Sequence, residues 1–237
     1  SGENMYLFED YELNLETFRA DFKDCSDFLL REAVVNGEKA FFCAMDGLID
    51  SVQLSHMVTA PILSSHLSFE TPQEHFELIK KCVAGSLEMK EVQTVEDCWL
   101  YLMSGFALFC LDGCKKALVF GVQGWTRRST DEPTNEAMVK GAKECFVESL
   151  NDNKALLRKR LKTPHLKLKQ IPLGKAAVTP VVIAYMDDRA PQKTVDEIEK
   201  KLKEAPLSSV LDYGTLQPFL NTDIRSFFST VGNTERP

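Results

Sequence analysis

The sequence contains no apolar run of the length that a membrane-spanning helix requires. Such a helix needs about 18 or more consecutive apolar residues, whereas the longest apolar stretches here, FALFCL and TPVVIAYM, have the length of β-strands. No secretory signal pattern is visible, and the opening Ser1-Gly2 without a methionine resembles a cloning remnant. We therefore expect the chain to be a piece of a longer protein.

The sequence also lacks the short motifs that mark common enzyme classes. It has no glycine-rich phosphate loop, no HExxH and no GxSxG. Its four histidines, at positions 56, 66, 75 and 165, do not lie near an evident nucleophile. We predict that the chain is not an enzyme and has no catalytic residues and no cofactor; a Cys–His pair assembled by folding is the remaining alternative.

An excess of positive charge is absent as well. The net charge is −7, and a general nucleic-acid binder needs a basic surface to neutralise phosphates. Apolar residues make up 44% of the 237 residues and charged residues 27%, which is ordinary for a globular protein of one large or two small domains. We expect a folded chain that does not bind nucleic acid.

The seven cysteines do not form a disulfide framework. Their number is odd, and most have apolar neighbours, as in FFCAM and LFCLD. That usage is typical of reduced, intracellular, packed thiols. Cys110 and Cys114 flank LDG, a predicted tight turn, and could pair across a hairpin or form half of a zinc site, but no second pair has ligand spacing. We predict free thiols and no metal site.

Helical spacing of apolar residues appears first in NLETFRADFKDCSDFLLREAV, which predicts one amphipathic helix with Asn14 as N-cap. IDSVQLSHMVTAPIL predicts a helix that Pro61 stops. Near the other end of the chain, TVDEIEKKLKEA predicts a helix capped by Thr194, and LDYGTLQPFLN predicts a shorter one.

The remaining elements have clearer boundaries. EKAFFCAMDG predicts a buried strand, TPQEHFELIKKCV a helix entered through Thr71-Pro72, KEVQTV a short strand, and TVEDCWLYLMSG a helix capped by Thr94 and ended by Gly105. FALFCLDGCKKALVFGV predicts a β-hairpin. KECFVESLNDNKALLRKRLK predicts a helix, and HLKLKQIPLG with AVTPVVIAYM predicts two paired strands.

Helices and strands alternate in both halves, which predicts the α/β class. We expect two small α/β subdomains with mixed sheets and an interdomain cleft. The first subdomain would span 1–122, a charged junction 123–142, the second subdomain 143–225 and a linker 226–237.

The junction concentrates charges of both signs in GWTRRSTDEPTNE. An amino-acid ligand is a zwitterion, so Arg127 or Arg128 could bind its carboxylate and Glu132 or Glu136 its ammonium group. The alternatives are that these residues pair with each other and fix the junction, that STDEP only begins a helix, or that the segment is solvated. We favour pairing that fixes the junction.

A second charge cluster is a basic block. Between 154 and 175 there are eight Lys or Arg residues and no Asp or Glu. A helix C-terminus favours such cations, and a basic face would also suit an anionic membrane leaflet or an acidic partner surface; a solvated face is the simpler alternative. The block that we assign to a partner or a membrane consists of Lys154, Arg158, Lys159, Arg160 and Lys162.

Several motifs in order resemble one known family. They are MDGLID, LMSGFALFCLDGCKKAL, RRSTDEPTNE, KGAKECFVESLNDNKALLRKRLKTPHL, AYMDD and the terminal TERP. Together they are similar to the A-subunit family of spore-germination nutrient receptors, the GerA family. The resemblance extends from about residue 41 to residue 237.

The resemblance implies a soluble N-terminal part ahead of a multi-helix membrane domain, built of two α/β subdomains with a cleft. It implies the inner membrane of bacterial endospores, with this part on the cytoplasmic side, and association with B-type and C-type subunits. It also implies a response to small nutrients such as amino acids and sugars. Either this part binds the nutrient and relays a signal, or it is a scaffold that assembles the subunits.

Overall fold

The computed structural model describes residues 4–83, 85–124, 149–174 and 178–204. These residues divide into two compact units. Unit 1 comprises 4–23, 27–83, 85–124 and 149–164, and unit 2 comprises 24–26, 165–174 and 178–204. Among the described residues, the chain therefore enters unit 2 for three residues, returns to unit 1, and enters unit 2 again after residue 164.

Unit 1 contains five strands and most of the helices. Its strands are β1 (Phe28–Val35), β2 (Glu38–Met45), β3 (Met89–Val92), β4 (Phe106–Leu111) and β5 (Ala117–Gly121). Its helices are α1 (Tyr11–Asp21), α2 (Ser51–Leu54), α3 (Ala60–Leu63), α4 (Pro72–Lys80), α5 (Val95–Leu102) and α6 (Leu150–Arg160), with a π-helical turn at Ser55–Thr59 between α2 and α3.

The five strands form one antiparallel sheet in the order β1-β2-β4-β5-β3. The β1–β2 hairpin turns at Asn36 and Gly37, whose φ angles of 49° and 90° are both positive. A two-residue hairpin turn of this kind is the one that Asn-Gly favours, because both positions tolerate the left-handed region. The hairpin register then pairs all eight residues of β1 with β2.

Both faces of this sheet are covered. On one face, Phe42 of β2, Phe109 of β4 and Phe120 of β5 belong to the same apolar cluster as Ile62 of α3 and Ile79 of α4. On the opposite face, α1 and α5 pack against β2 and β4, and the rings of Phe18 and Phe41 lie 5.8 Å apart. Unit 1 is thus a helix–sheet–helix sandwich, and the near-continuous burial of β2, β4 and β5 follows from it.

Unit 2 is smaller. Its elements are β6 (Leu166–Leu173), β7 (Thr179–Met186) and α7 (Gln192–Glu204). The two strands pair antiparallel, and residues 24–26 join β6 through a parallel bridge between Cys25 and Leu168. Helix α7 covers the sheet with Leu202 and Ile198, which pack near Ile171 and Leu173.

The single helix predicted for 14–34 is wrong. Helix α1 ends at Asp21, and the second half of that stretch is strand β1. Asp24 adopts a positive φ of 59°, which interrupts the helix, and the apolar spacing beyond it coincides with helical periodicity only by chance. Asp10, not Asn14, caps α1; the Asn14 amide instead bonds both the N–H and the carbonyl of Phe8, at 2.9 and 2.7 Å.

Two other helix boundaries also differ from prediction. Pro61 does not stop the helical run, because it lies in the first turn of α3, where its missing N–H is tolerated. Helix α7 begins at Gln192, so Thr194 lies inside it. The predicted caps of α4 and α5 are confirmed, since the hydroxyls of Thr71 and Thr94 accept from backbone N–H groups.

The α/β class is confirmed, although the paired strands described are antiparallel rather than mixed. Contacts group α6 with unit 1, whereas the expected boundary at residue 143 would group it with the second subdomain.

Six cysteines are free thiols, as predicted. Cys145 lies outside the described residues, as does the helix expected at LDYGTLQPFLN. None of the helices in the described ranges combines the length and apolar character that crossing a bilayer demands.

Candidate functional site

The residues predicted at the charged junction lie outside the described part of the chain. These are Arg127, Arg128, Glu132 and Glu136. Their assignment to junction pairing or to ligand contact therefore stays a prediction.

The five residues of the predicted basic block separate into two groups. Lys154 and Arg158 are buried, with 6% and 0% of their surface exposed, whereas Arg160 and Lys162 are exposed and Lys159 is half-buried. Helix α6 turns one side into unit 1, which withdraws the cations on that side from solvent. The charge of Arg158 is therefore not available to an external partner, and a basic surface can consist only of the other group.

Arg158 forms a bidentate ion pair with Asp27, the residue that precedes β1. Its Nε donates to Oδ2 of Asp27 at 2.9 Å and its Nη2 donates to Oδ1 at 3.0 Å. A third donor, Nη1, bonds the carbonyl oxygen of Thr163 at 3.0 Å. The two charged side chains are 0% and 2% exposed. We call Asp27, Arg158 and the Thr163 carbonyl the α6 anchor.

The planar guanidinium suits this position because both carboxylate oxygens receive a parallel N–H bond. Removing one member of a buried pair leaves an unpaired charge away from water, which typically costs about 3–5 kcal/mol. The α6 anchor therefore holds the end of α6 and the start of β1 in one arrangement.

Close backbone packing supports the same placement of α6. Gly47 follows β2 with a φ of +81°, and a Cβ there would lie 3.3 Å from the Cβ of Ala155 on α6. The backbone N–H of Asp46 also donates to the Asp27 carbonyl at 2.7 Å. The turn after β2, the start of β1 and α6 thus meet in unit 1.

Sequence reasoning did not single out Asp27. It lies in CSDFLL, within the stretch predicted as helix, and 131 positions separate it from Arg158. An aspartate directly before the apolar run FLL was the available signal, because a carboxylate buried beside such a run requires a partner. The identity of that partner is set by folding.

A second feature of unit 1 is an open groove of about 900 Å³. Residues 5–10 form one wall, where Tyr6 is 65% exposed. Three polar side chains in the lining already have partners within the chain: Gln73 donates to the Gly113 carbonyl, Lys115 pairs with Glu9, and Lys116 pairs with Glu77 and Glu91. The exposed apolar side chains that line the groove are Met5, Tyr6, Phe8 and Leu13.

Unit 2 has its own charged cluster around Asp187, in the motif AYMDD. His165 Nδ1 lies 2.8 Å from Oδ1 of Asp187, and Nζ of the buried Lys167 lies 3.2 Å from Oδ2. Burial alone would raise the pKa of Asp187, but the hydrogen bonds from His165 and Lys167 outweigh it and lower that pKa. Across the described ranges, no group of three His, Cys, Asp or Glu residues is placed to hold a metal ion.

Comparison with known proteins identifies the family to which the chain is similar. Residues 16–237 match the model of the Bacillus/Clostridium GerA spore germination protein family. The chain is 32% identical over 225 residues to the uncharacterized membrane protein YfkQ of Bacillus subtilis (strain 168), covering 94% of this chain and 43% of that protein. It is 30% identical over 240 residues to spore germination protein B1 of the same organism, covering 98% and 48%. The chain thus spans about half the length of these relatives.

A solved structure shares the fold. The N-terminal domain of the A subunit of the Bacillus megaterium spore germinant receptor GerK3 superposes with a TM-score of 0.70, covering 99% of this chain and 87% of that chain, at 24% sequence identity.

Proposed function

Because this chain belongs to the Bacillus/Clostridium GerA family of spore germination proteins, we propose that it is the N-terminal part of a germinant receptor A subunit and relays a nutrient signal to the membrane part of that receptor. Three relatives support this proposal by name: a membrane protein, a spore germination protein and an A-subunit N-terminal domain. A relay requires no catalysis, and we propose a non-enzymatic role.

The position of the α6 anchor along the chain carries the proposal. Asp27 directly follows residues 24–26, which belong to unit 2, and Thr163 lies two residues before the chain enters unit 2 again. One buried side chain, Arg158, bonds both positions. Asp27, where the chain returns to unit 1, and Thr163, close to where it leaves unit 1, are therefore fixed to each other, so a displacement imposed at one is transmitted to the other. Such rigid coupling suits a relay.

The test replaces the ion pair by apolar residues of similar volume in the full-length receptor, in spores. The double variant Asp27→Leu with Arg158→Met removes both members of the ion pair and its specific geometry, and replacements of this kind are often neutral for stability. We expect normal receptor amounts but a germination response slowed at least tenfold. A matched control, Glu88→Gln with Lys90→Gln, removes an exposed pair of unit 1 and should respond normally. A normal response of the double variant at normal receptor amounts would contradict the relay.

A second candidate function is direct nutrient binding, favoured by the groove in unit 1 and by the mixed charges of the junction. In this proposal Arg127 or Arg128 binds a nutrient carboxylate and Glu132 or Glu136 its ammonium group. Isothermal titration of the chain with amino acids and sugars separates the two candidates. Saturable heat with one nutrient supports direct binding, and absence of heat across the panel supports relay of a signal sensed by another subunit.

Within this second question we favour junction pairing over ligand contact. Glu132→Ala should then lower the melting temperature of the chain, because a paired charge loses its partner. An unchanged melting temperature together with lost nutrient binding would instead assign Glu132 to the ligand. The conservative variant Glu132→Gln keeps the side-chain volume and serves as the control for packing.

The proposed partners are B-type and C-type receptor subunits and the membrane through the remainder of the A subunit. We propose the spore inner membrane as the location, with this part on the cytoplasmic side. We propose that Arg160, the last residue of α6, and Lys162, both exposed, contact an acidic partner surface or an anionic leaflet. The double charge reversal Arg160→Glu with Lys162→Glu should weaken subunit co-purification if they contact a subunit; a scaffold role predicts this loss without any change in nutrient binding.

A further inference from the structure

One buried histidine of unit 1 has a hydrogen-bonding pattern that fixes its protonation state. His75, on α4, is 0% exposed, and its ring stacks on that of Phe69 with centroids 3.8 Å apart and an angle of 4° between the planes. Its Nε2 lies 3.3 Å from Nδ2 of Asn36, in the β1–β2 turn. Its Nδ1 is buried and has no hydrogen-bond partner.

The orientation of the Asn36 amide follows from its neighbours. Its Oδ1 accepts from the backbone N–H of Leu67 at 3.0 Å, so the oxygen cannot be exchanged with Nδ2. The Nδ2 group therefore donates its two hydrogens to Oγ of Ser65, at 3.0 Å, and to Nε2 of His75. The Ser65 hydroxyl is free to accept, because its own hydrogen goes to the carbonyl of Ile62 at 2.7 Å.

These directions determine the tautomer of His75. Since Nε2 faces an N–H donor, it must carry a lone pair, and the proton of the neutral ring is on Nδ1. Protonation of Nε2 would set two N–H groups against each other and place a cation among buried groups. The acid form of His75 is therefore incompatible with the Asn36 bond.

The surroundings of the ring do not stabilise the protonated form of His75. Three segments pack around the ring: the β1–β2 turn, the segment after α3 and the start of α4. Burial lowers the pKa of His75, and among the described residues no charged group offsets that effect. Glu74 bonds the N–H of Glu70 at the start of α4. The titratable residues of the three segments are Glu38, Lys39, His66, Glu70, Glu74 and Glu77, of which Lys39 pairs with Glu12 and Glu77 with Lys80 and Lys116.

We propose that Asn36, Ser65, His75 and the Leu67 N–H form a proton-sensitive clasp that joins these three segments at neutral pH and opens when His75 is protonated. The clasp is the principal side-chain link described between the turn and the segment after α3, and its four members respond together. Opening frees residues 64–71 from the β1–β2 turn while the strands of the sheet remain paired. The inference concerns unit 1 alone and does not depend on the receptor assignment.

Amide exchange of Leu67 measures this opening directly, because its N–H donates to Asn36. In the 237-residue chain we expect the opening constant of Leu67, corrected for intrinsic exchange, to rise by up to tenfold per pH unit below about pH 6.5, the ordinary pKa of histidine. In His75→Gln, which cannot titrate, the constant should stay flat with pH. His66→Gln, which replaces an exposed histidine of the same segment, should behave as the unsubstituted chain does.

Nitrogen NMR of the unsubstituted chain provides a measurement that no folding defect can obscure. At pH 7.5 the His75 ring should show a protonated Nδ1 and an unprotonated Nε2. A proton on Nε2 at that pH, or the same pH-dependent exchange of Leu67 in His75→Gln, would overturn the proposal.

Discussion

Two sets of ion pairs in unit 1 join a cation to a carboxylate in contrasting surroundings, one buried and one partly exposed. In the α6 anchor, Arg158 and Asp27 are 0% and 2% exposed. In a second set, Lys80 and Lys116 each pair with Glu77 and Glu91 between α4, β3 and the residue before β5, and these side chains are 25% to 52% exposed. We call the second set the surface network.

The difference shows that burial, and not the number of ion pairs, decides how much the loss of one charged partner lowers the free energy of unfolding. The surface network contains four pairs, but water and salt screen each of them, and exposed pairs contribute roughly 0–1 kcal/mol. The α6 anchor has one pair, whose loss leaves a charge in a medium that cannot solvate it. Breaking the single buried pair should therefore cost more than breaking any one pair of the surface network.

The largest expected effect is that of Asp27→Asn. The variant keeps the shape of the side chain but removes the buried carboxylate charge to which two N–H groups of Arg158 donate, so the free energy of unfolding should fall by about 3–5 kcal/mol. Urea denaturation followed by circular dichroism measures it. A loss of stability as small as that expected for an exposed ion pair would show that water reaches the α6 anchor. The α6 anchor would then not differ from the surface network.

Arg158→Lys should have an intermediate effect. Lysine keeps the positive charge but cannot supply the bidentate fork or the third bond to the Thr163 carbonyl. A hydrogen bond to a charged group contributes about 1.5–3 kcal/mol, and the three donors of a lysine ammonium can re-form part of the set. We therefore expect a net loss of about one such bond by the same denaturation measurement. A loss equal to that of Asp27→Asn would mean that geometry contributes as much as charge.

Glu91→Gln should cost much less. Glu91 accepts from Lys116 and Lys80, but its side chain is 33% exposed, so we expect a loss of about 0.2–1 kcal/mol. Raising the salt concentration from 0.1 to 1 M should reduce this loss, since screening shortens the range of the attraction. The loss in Asp27→Asn should not change with salt, which makes the pair of variants a direct comparison.

The smallest expected effect is on the stability of the chain at acid pH. The hydrogen bonds from Lys116 and then Lys80 lower the pKa of Glu91. A carboxyl whose pKa is lower in the folded state contributes stability that is fully present above its unfolded pKa of about 4.3 and is lost as the pH falls through the folded value. Between pH 5 and pH 3 the unsubstituted chain should therefore lose slightly more stability than Glu91→Gln. Equal losses would show that the surface network contributes nothing through Glu91.

Local signals in the sequence predicted several elements correctly. Thr71-Pro72 begins α4 and Thr94 begins α5, because a capping hydroxyl and a first-turn proline act on neighbouring backbone groups. The β4–β5 hairpin around Gly113 was also predicted, since its turn needs a positive φ that glycine adopts readily. Signals of this kind depend on residues within about four positions of one another.

The errors arose where distant contacts decide the structure. The stretch 14–34 has helical spacing throughout, but β1 forms in its second half because all its residues pair with β2. Helix α6 is followed at once by β6, but it packs with unit 1 because Arg158 reaches Asp27. Neither partner lies within the range of local periodicity.

The sequence by itself therefore determined the α/β class, the starts of α4 and α5, the β4–β5 hairpin and the free thiols of the described residues. It also determined the family, since the motifs that carry the resemblance are stretches of consecutive residues. Only the tertiary structure decided which cations of the basic block are buried, that Asp27 pairs with Arg158, and that Nε2 of His75 accepts from the Asn36 amide. The physical reason is that burial and hydrogen-bond partners belong to pairs of residues far apart in the chain, and folding alone brings such pairs together.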